Sequence, residues 1–461
     1  MYFTEALAQY VLNLSIDNLD SKIITQAKHF FSDGMACMVA GAKEKPVRIA
    51  LDYAKKYGGT PEAYIICSDI KTDAVTAAMA DGIAAHIHDY DDVSDSSNAH
   101  VGVVILPTVL TLGQLLHVSG KKSLEAFIAG IEVTALAGRA MGKENFRRGW
   151  HSTSSLGIFG AAAAAGKLMK LTEQQLVFAF GIAASESSGI KANFGTMTKP
   201  FHAGSAAGKG IRAARLASLG YESNPSCIED KCGFADLTIG ETDMTPAIFA
   251  MEQGISEFID PGLIMKPYPA CKGTHNGIDA MRQLRREYRL RAEDIAHITA
   301  EVQPYVLDLL RFPVAKTKYQ GKFSLNYCMA QIIMKGDLKL EDFDGDLVED
   351  PEIIALMKRM DVISNDHMNA GDNMLVRGDT IVTVETKDGK VFSCRVNYAT
   401  GDPHCPLTEE MRMEKLQDCL SRTLVPARIE EVLNMLECVE ELPDLSVLAE
   451  ILSQTTRKPN I

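Results

Sequence analysis

The chain has 461 residues, 46% of them hydrophobic and 23% charged, with a formal net charge of −13. This is the make-up of a packed globular protein, long enough for about three domains or for one large core with a smaller appendage. The acidic balance excludes a general nucleic-acid surface, which needs clustered Lys and Arg. It leaves room for an anionic small molecule held by a few basic side chains in a closed pocket.

The first residues, MYFTEALAQYVLNL, carry Glu5 early and no basic leader, so they do not read as a secretory signal. Helices are predicted over residues 4–14, 20–42, 72–88, 101–117, 123–141, 153–168, 172–186 and 203–220, with Ser123 and Thr172 as capping residues. Residues 101–116 form the longest apolar stretch. They contain Pro107 and Gln114 and fall short of the ~20 residues of a membrane span, so a buried helix is expected and no membrane contact. Small residues such as GIFGAAAAAG at 157–166 let helices approach closely in a multi-helix core. GSAAGK at 204–209 lacks the Ser or Thr after its Lys and has no leading strand, so it is not a phosphate loop.

The texture changes near Gly262. A helix is predicted over 274–288, a strand over 297–302, helices over 325–335 and 352–360, and strands over 380–386 and 390–397 joined at Asp388-Gly389. Helices return over 408–422 and 426–436, and the final TTRKPNI reads as a frayed tail. The expected organisation is mainly α: a large helical domain from residues 1–262 and 403–461, with a smaller inserted α/β lid domain at 263–402. Ten cysteines from Cys37 to Cys438 form no C-x-x-C pair, which favours a reduced, cytoplasmic setting.

Four segments carry chemistry-bearing side chains. His86-x-His88-Asp89-Tyr90-Asp91-Asp92 and the polar loop to His100 admit a metal site, an acid–base site or solvated surface acids. If the helix runs on, His86 and His88 point roughly 200° apart and cannot chelate together, whereas His86 and Asp89 share a face. His151 follows Trp150 near an expected helix start, which lowers a histidine pKa; a packed structural ring is the alternative. Lys199 precedes Pro200 and is expected in an extended loop, facing the next helix or solvent. Residues 266–275 bring Lys266, Cys271, Lys272 and His275 to a domain junction, where ligand sites are common; Cys271 reads as a nucleophile or, like most free cysteines, as packing.

In this order DYDD with His100 and Leu106-Pro107, GWHSTSSLGIFGAAAAAGKL, NFGTMTKPFHAGSAAGKGIRAARLASLGY, KPYPACKGTH and GDPHCPLTEE resemble the MmgE/PrpD family over essentially the whole chain. The TKPFHAG and KPYP-x-C-x-x-TH blocks are the most specific parts. The resemblance implies the helical body with an α/β lid, a homodimer, and acid–base chemistry on a small polycarboxylic acid without metal or organic cofactor. It assigns catalytic roles to Asp89, His100, His151, Lys199 and Lys266. It assigns substrate contact to Lys199, Lys266, Tyr305, Cys271 and Val93. The decarboxylase branch has Thr at the place of Val93, His at the place of Cys271 and HPSG for His100-Val101-Gly102-Val103, and the loop from Asp89 to His100 is one residue longer here. These departures count against cis-aconitate decarboxylase, although the NFGTMTKPFHAG wording is nearer the epimerase and decarboxylase branches than the longer dehydratases.

The expected reaction is proton transfer next to a carboxylate, with lysines stabilising the developing charge and His100 and His151 as the acid–base pair. A hydro-lyase acting on a 2-methylcitrate-like acid is the leading expectation. An iminodisuccinate-type epimerase (an isomerase), a cis-aconitate-type decarboxylase and a non-catalytic carboxylate-binding dimer are the alternatives.

Overall fold

The computed structural model describes residues 2–240, 243–345, 350–368 and 379–453. The first half is a succession of helices: α1 (Phe3–Asn13), α2 (Ser21–Gly41), α3 (Lys45–Tyr57), α4 (Ala74–His86), α5 (Gly102–Leu116), α6 (Gly120–Met141), α7 (Glu144–Arg147), α8 (Ser152–Ser155), α9 (Gly157–Leu168), α10 (Glu173–Glu186) and α11 (Thr198–Ser218). Short helices α12 (Phe234–Ile239) and α13 (Thr245–Glu252) follow. No described helix is long and apolar enough to cross a membrane.

Small residues set how closely these helices pack. A Cβ placed on Gly204 of α11 would lie 2.0 Å from the Met79 carbonyl oxygen of α4, and one on Gly82 would lie 2.6 Å from Gly204 Cα. The two backbones therefore touch, which holds the C-terminal end of α4 against the N-terminal end of α11. Phe31, Phe127, Phe159 and Phe180 share one apolar core with Leu416, Leu436 and Leu452. The last three come from α19 (Glu409–Ser421), α20 (Pro426–Glu437) and α21 (Ser446–Ser453), so both ends of the chain build the helical body.

A second core surrounds a four-stranded sheet. Its strands are β5 (Ile295–Val302), β6 (Met360–Ser364), β7 (Thr380–Thr386) and β8 (Val391–Val396), in the order β6-β5-β7-β8, with β5 and β6 parallel and the other pairs antiparallel. Alternating burial along β7 marks one covered face. Ile278, Met281 and Leu284 of α14 (Lys272–Tyr288) share that core with Ile298, Val382 and Val384 of the sheet and with Tyr327 and Ile332 of α17 (Leu325–Lys335). Helices α15 (Pro304–Leu309), α16 (Lys318–Gly321) and α18 (Pro351–Met357) complete the connection from β5 to β6.

Two pairs of short strands and one backbone contact matter less for bulk than for placement. Strands β1 (Ala63–Tyr64) and β2 (Lys71–Thr72) brace the start of α4. Strand β3 (Val93–Ser94) pairs antiparallel with β4 (Leu263–Ile264), Val93 opposite Ile264. That pairing fastens the DYDD segment to the segment leading into Lys266. The third contact is between the two chain crossings of the lid: the Met265 amide donates to the Gly401 carbonyl at 3.1 Å, and a Cβ on Gly401 would lie 1.9 Å from Met265 O.

Several local expectations change. Helix α6 starts at Gly120 with Ser119 as its cap, not Ser123, and the Glu125 carboxylate instead accepts the Ile16 amide at 3.0 Å. The stretch 153–168 divides into α8 and α9 at Leu156. Residues 352–360 end as helix at Met357, and Met360–Ser364 is a strand, because β5 offers it a partner. Helices α3, α12, α13 and α21 are additions to the expected set. The terminal TTRKPNI lies outside the described residues.

Candidate active site

Helix α4 ends at His86 rather than His88. Asp89 then takes a left-handed conformation, φ +52°, which Asp tolerates better than most residues and which turns the chain back on itself. His86 and Asp89 therefore do not share a helical face. Asp91 meets His86 instead, both carboxylate oxygens standing 3.0 Å from Nδ1. The acids expected at a solvated helix end are buried: Asp89, Asp91 and Asp92 are 2%, 0% and 2% exposed. Asp92 accepts the Gly102 amide at 3.0 Å at the start of α5.

Lys199 is also placed differently from expectation. It is the second residue of α11, and Pro200 sits in the first turn, where its missing N–H leaves no helical bond unmade. Its ammonium group donates to Asp89 Oδ2 at 2.6 Å and to His86 Nε2 at 2.9 Å. Lys266, fully buried, donates to the Asp89 carbonyl at 2.8 Å and to Asp89 Oδ1. One carboxylate thus lies between two ammonium groups. Burial is the largest influence on Asp89 and pushes its pKa up, but Lys199 and Lys266 outweigh it and hold the carboxyl well below its ordinary range.

The partners of His86 settle its tautomer. Nε2 accepts from Lys199, so Nδ1 carries the hydrogen and donates to Asp91. His100 packs beside it, ring centroids 4.6 Å apart, with Nδ1 2.8 Å from Asp91 Oδ2 but out of hydrogen-bond alignment. The His100 amide donates to Thr153 Oγ1 at 3.0 Å, which fixes the loop against α8. Burial, then Lys266, pulls the His100 pKa down to about 3. His151 caps α8 and donates its amide to the Gly189 carbonyl at 3.0 Å. Burial, then Lys199, holds its pKa well below the usual range. Both rings are neutral at neutral pH, the state a general base requires.

His100, His151, Lys199 and Asp89 line one small cavity together with Val93, Cys271 and Tyr305. Its free space is about 50 Å³, room for one or two waters. Lys266 stands behind Asp89 and does not line it. The structure therefore brings every sequence-expected site residue into one neighbourhood, with Lys266 supporting Asp89. A larger cavity of about 480 Å³ between α2 and residues 401–412 includes His29 and Arg412 but none of these groups.

Cys271, expected as a substrate contact, begins the N-terminal end of α14 with Lys272 and Gly273; that end faces the cavity and presents partial positive charge beside the Lys272 side chain, to which the sequence reading gave no role. Asn98 accepts from the Tyr305 hydroxyl at 3.5 Å, and Phe146, Phe194 and Phe323 supply apolar walls. His202 lies 3.0 Å from His151, Nδ1 to Nδ1. Lys272 and His202 stand inside the two blocks already singled out, so their signal was present; Asn98 and the phenylalanines carry none that separates them from core or loop. Cys271 is a poor nucleophile, because burial and the nearby Asp89 raise its thiol pKa.

His86, Asp91 and His100 offer donor atoms within 4.8 Å of one another, a spacing that suits a divalent ion. His86 Nε2 accepts from Lys199 at 2.9 Å, so Nδ1, the nitrogen beside Asp91, carries hydrogen; a metal on Nδ1 would drive that hydrogen to Nε2, against the Lys199 ammonium.

Two histidines, a lysine and an aspartate thus line one cavity of a helical body that carries an α/β unit. The chain belongs to the MmgE/PrpD family: residues 5–247 match the MmgE/PrpD N-terminal domain and residues 268–441 the MmgE/PrpD C-terminal domain. It is 27% identical over 461 residues to a cis-aconitate decarboxylase of Homo sapiens, covering 97% of this chain and 94% of that protein. It is 25% identical to cis-aconitate decarboxylases of Mus musculus (97% of this chain, 93% of that protein) and of Aspergillus terreus strain NIH 2624 / FGSC A1156 (99% and 97%).

Proposed function

We propose that the chain is a lyase that moves protons next to the carboxylates of a small polycarboxylic acid, using its own side chains. The observation that carries this reading is the cavity wall. Two neutral imidazoles, His100 and His151, face the Lys199–Asp89 pair and the positive end of α14 across one small cavity.

A substrate carboxylate seats at the α14 N-terminus near Lys272, and a second meets Lys199. Charged hydrogen bonds of this kind contribute about 1.5–3 kcal/mol each. Asp89 offsets one of its two lysines, so the trio keeps one net positive charge for the bound acid. In dehydration, one imidazole takes the proton from the carbon beside a carboxylate. The electron pair forms the new C=C bond as the C–O bond breaks, and the other imidazole, first charged by a solvent proton that the bound carboxylates attract, protonates the departing hydroxide to water. In decarboxylation the C–C bond breaks, carbon dioxide leaves, and the carbon takes a proton from a histidine charged in the same way. Either route needs more than 50 Å³, so the lid elements bearing Cys271, Tyr305 and Phe323 move outward to admit the acid.

Decarboxylation is supported by the names of the relatives, which align over nearly the whole chain. Dehydration, or epimerisation by reprotonation on the opposite face, is the second reading. It is favoured by Val93 and Cys271, which line the cavity at the places where the chain departs from the decarboxylase pattern. Proton NMR in deuterated water with citrate, 2-methylcitrate, cis-aconitate, tartrate and substituted succinates separates loss of carbon dioxide, loss of water, deuterium exchange and epimerisation. Near wild-type turnover in folded His151→Ala or Lys199→Ala protein would overturn the site.

A further inference from the structure

We propose that His202 is a proton relay that connects His151 to solvent and switches it between base and acid forms. The inference rests on His151 being the ring that meets substrate.

The geometry supplies both halves. His151 Nε2 is buried and has no hydrogen-bond partner among the described residues, and its ring lines the cavity. Its other nitrogen, Nδ1, stands 3.0 Å from His202 Nδ1. His202 lies on α11 three residues after Lys199 and is 6% exposed against 2% for His151. Of the two residues it is the one that keeps more of its surface in contact with solvent. Gly189 closes over the pair: its carbonyl accepts the His151 amide, and a Cβ there would lie 2.8 Å from Ser154 Cβ and 3.5 Å from His202 Cγ.

Two facing Nδ1 atoms at this distance share one hydrogen, because two N–H groups would repel and two lone pairs would leave a buried contact without a bond. Two arrangements satisfy the pair. In the first, His151 donates Nδ1–H to His202, so its Nε2 is a lone pair and the ring is a base. In the second, His202 donates to His151, whose Nε2 then carries hydrogen and the ring is an acid. When His151 Nε2 takes a proton from the substrate, the Nδ1 hydrogen passes to His202 Nδ1 and the His202 Nε2 hydrogen leaves to water. One proton enters, one leaves, and the pair arrives in the second arrangement. The reverse passage gives the His151 Nε2 hydrogen to product while His202 Nε2 takes one from water, and restores the first. A lone His151 would have to hold both hydrogens as an imidazolium, which its burial disfavours.

The test uses full-length protein with 15N-labelled histidine. The expected spectrum shows a scalar coupling between two Nδ1 nitrogens, one hydrogen-bearing and one not, lost in His202→Asn. Two hydrogen-bearing Nδ1 nitrogens, or no coupling in wild type, overturns the proposal. Kinetics with the panel acids separates relay from support. Asn offers an amide near the Nδ1 position, so it orients His151 without conducting a proton. Both His202→Asn and His202→Phe should lower kcat about tenfold or more with little change in KM. Full kcat in His202→Asn with loss only in His202→Phe leaves His202 a support and refutes the relay. A coupling present in wild type together with full turnover in His151→Gln would instead refute the role of His151.

Discussion

Replacing Asp89 by Asn tests the charge arrangement at the centre of the site. The side chain keeps its size, but Lys199 and Lys266 lose their shared anion. At an effective dielectric constant of about 20, unit charges 2.6 Å apart, the Lys199–Asp89 separation, attract by about 6 kcal/mol. Desolvation offsets part of this, and removing one partner of a buried pair costs about 3–5 kcal/mol. Asp89→Asn should therefore lose about that much stability at pH 7, read from urea unfolding. Lys266→Met in the same chain should restore part of it, since the fully buried ammonium is then gone. The depressed Asp89 pKa gives the sign of the pH dependence. The carboxylate stabilises the fold fully above its unfolded pKa of about 4 and progressively less as the pH falls below that toward its folded value. The penalty in Asp89→Asn should therefore shrink as the buffer is acidified below about 4. Single and double variants whose effects add within about 0.5 kcal/mol would refute the pairing.

With the His100 pKa at about 3, the acid limb of kcat/KM should lie well below 6.5, and a histidine limb near 6.5 in the pH–rate profile would contradict the buried, neutral ring. Gly204→Ala should destabilise the protein by about 1–3 kcal/mol or more and lower activity, since α4 and α11 must part to take a Cβ 2.0 Å from Met79 O; an unchanged melting temperature would show that the helices yield freely. Cys271→Ser should keep kcat within about threefold and shift KM, because the protonated thiol contacts substrate without attacking it; loss of all turnover would make it a nucleophile. Exhaustive chelation should leave turnover intact, and loss restored by one divalent ion would move the chemistry to His86, Asp91 and His100.

Periodicity and capping located most helices and the β7–β8 hairpin, because those signals are local. The short helices α12 and α13 escaped for the converse reason: few residues carry them, and their neighbours decide them. Strand β6 shows the same dependence, since Met360–Ser364 is extended because β5 lies beside it. The site was legible only as separate blocks. Each of Asp89, His100, His151, Lys199 and Lys266 admitted a bland explanation by itself, and their order along the chain joined them through family resemblance.

What the sequence determined by itself is the set of chemical groups, the helical character and the small residues that permit close packing. Tertiary structure decided which groups meet. It ended α4 at His86, turned Asp89 into the left-handed region and put Lys199 inside a helix. It exchanged the anticipated His86–Asp89 pairing for His86–Asp91, buried three acids expected in water, and set His202 against His151. The physical reason is distance along the chain. Lys199 and Lys266 lie 110 and 177 residues from Asp89, and the charge and burial that tune each group come from partners no local pattern encodes.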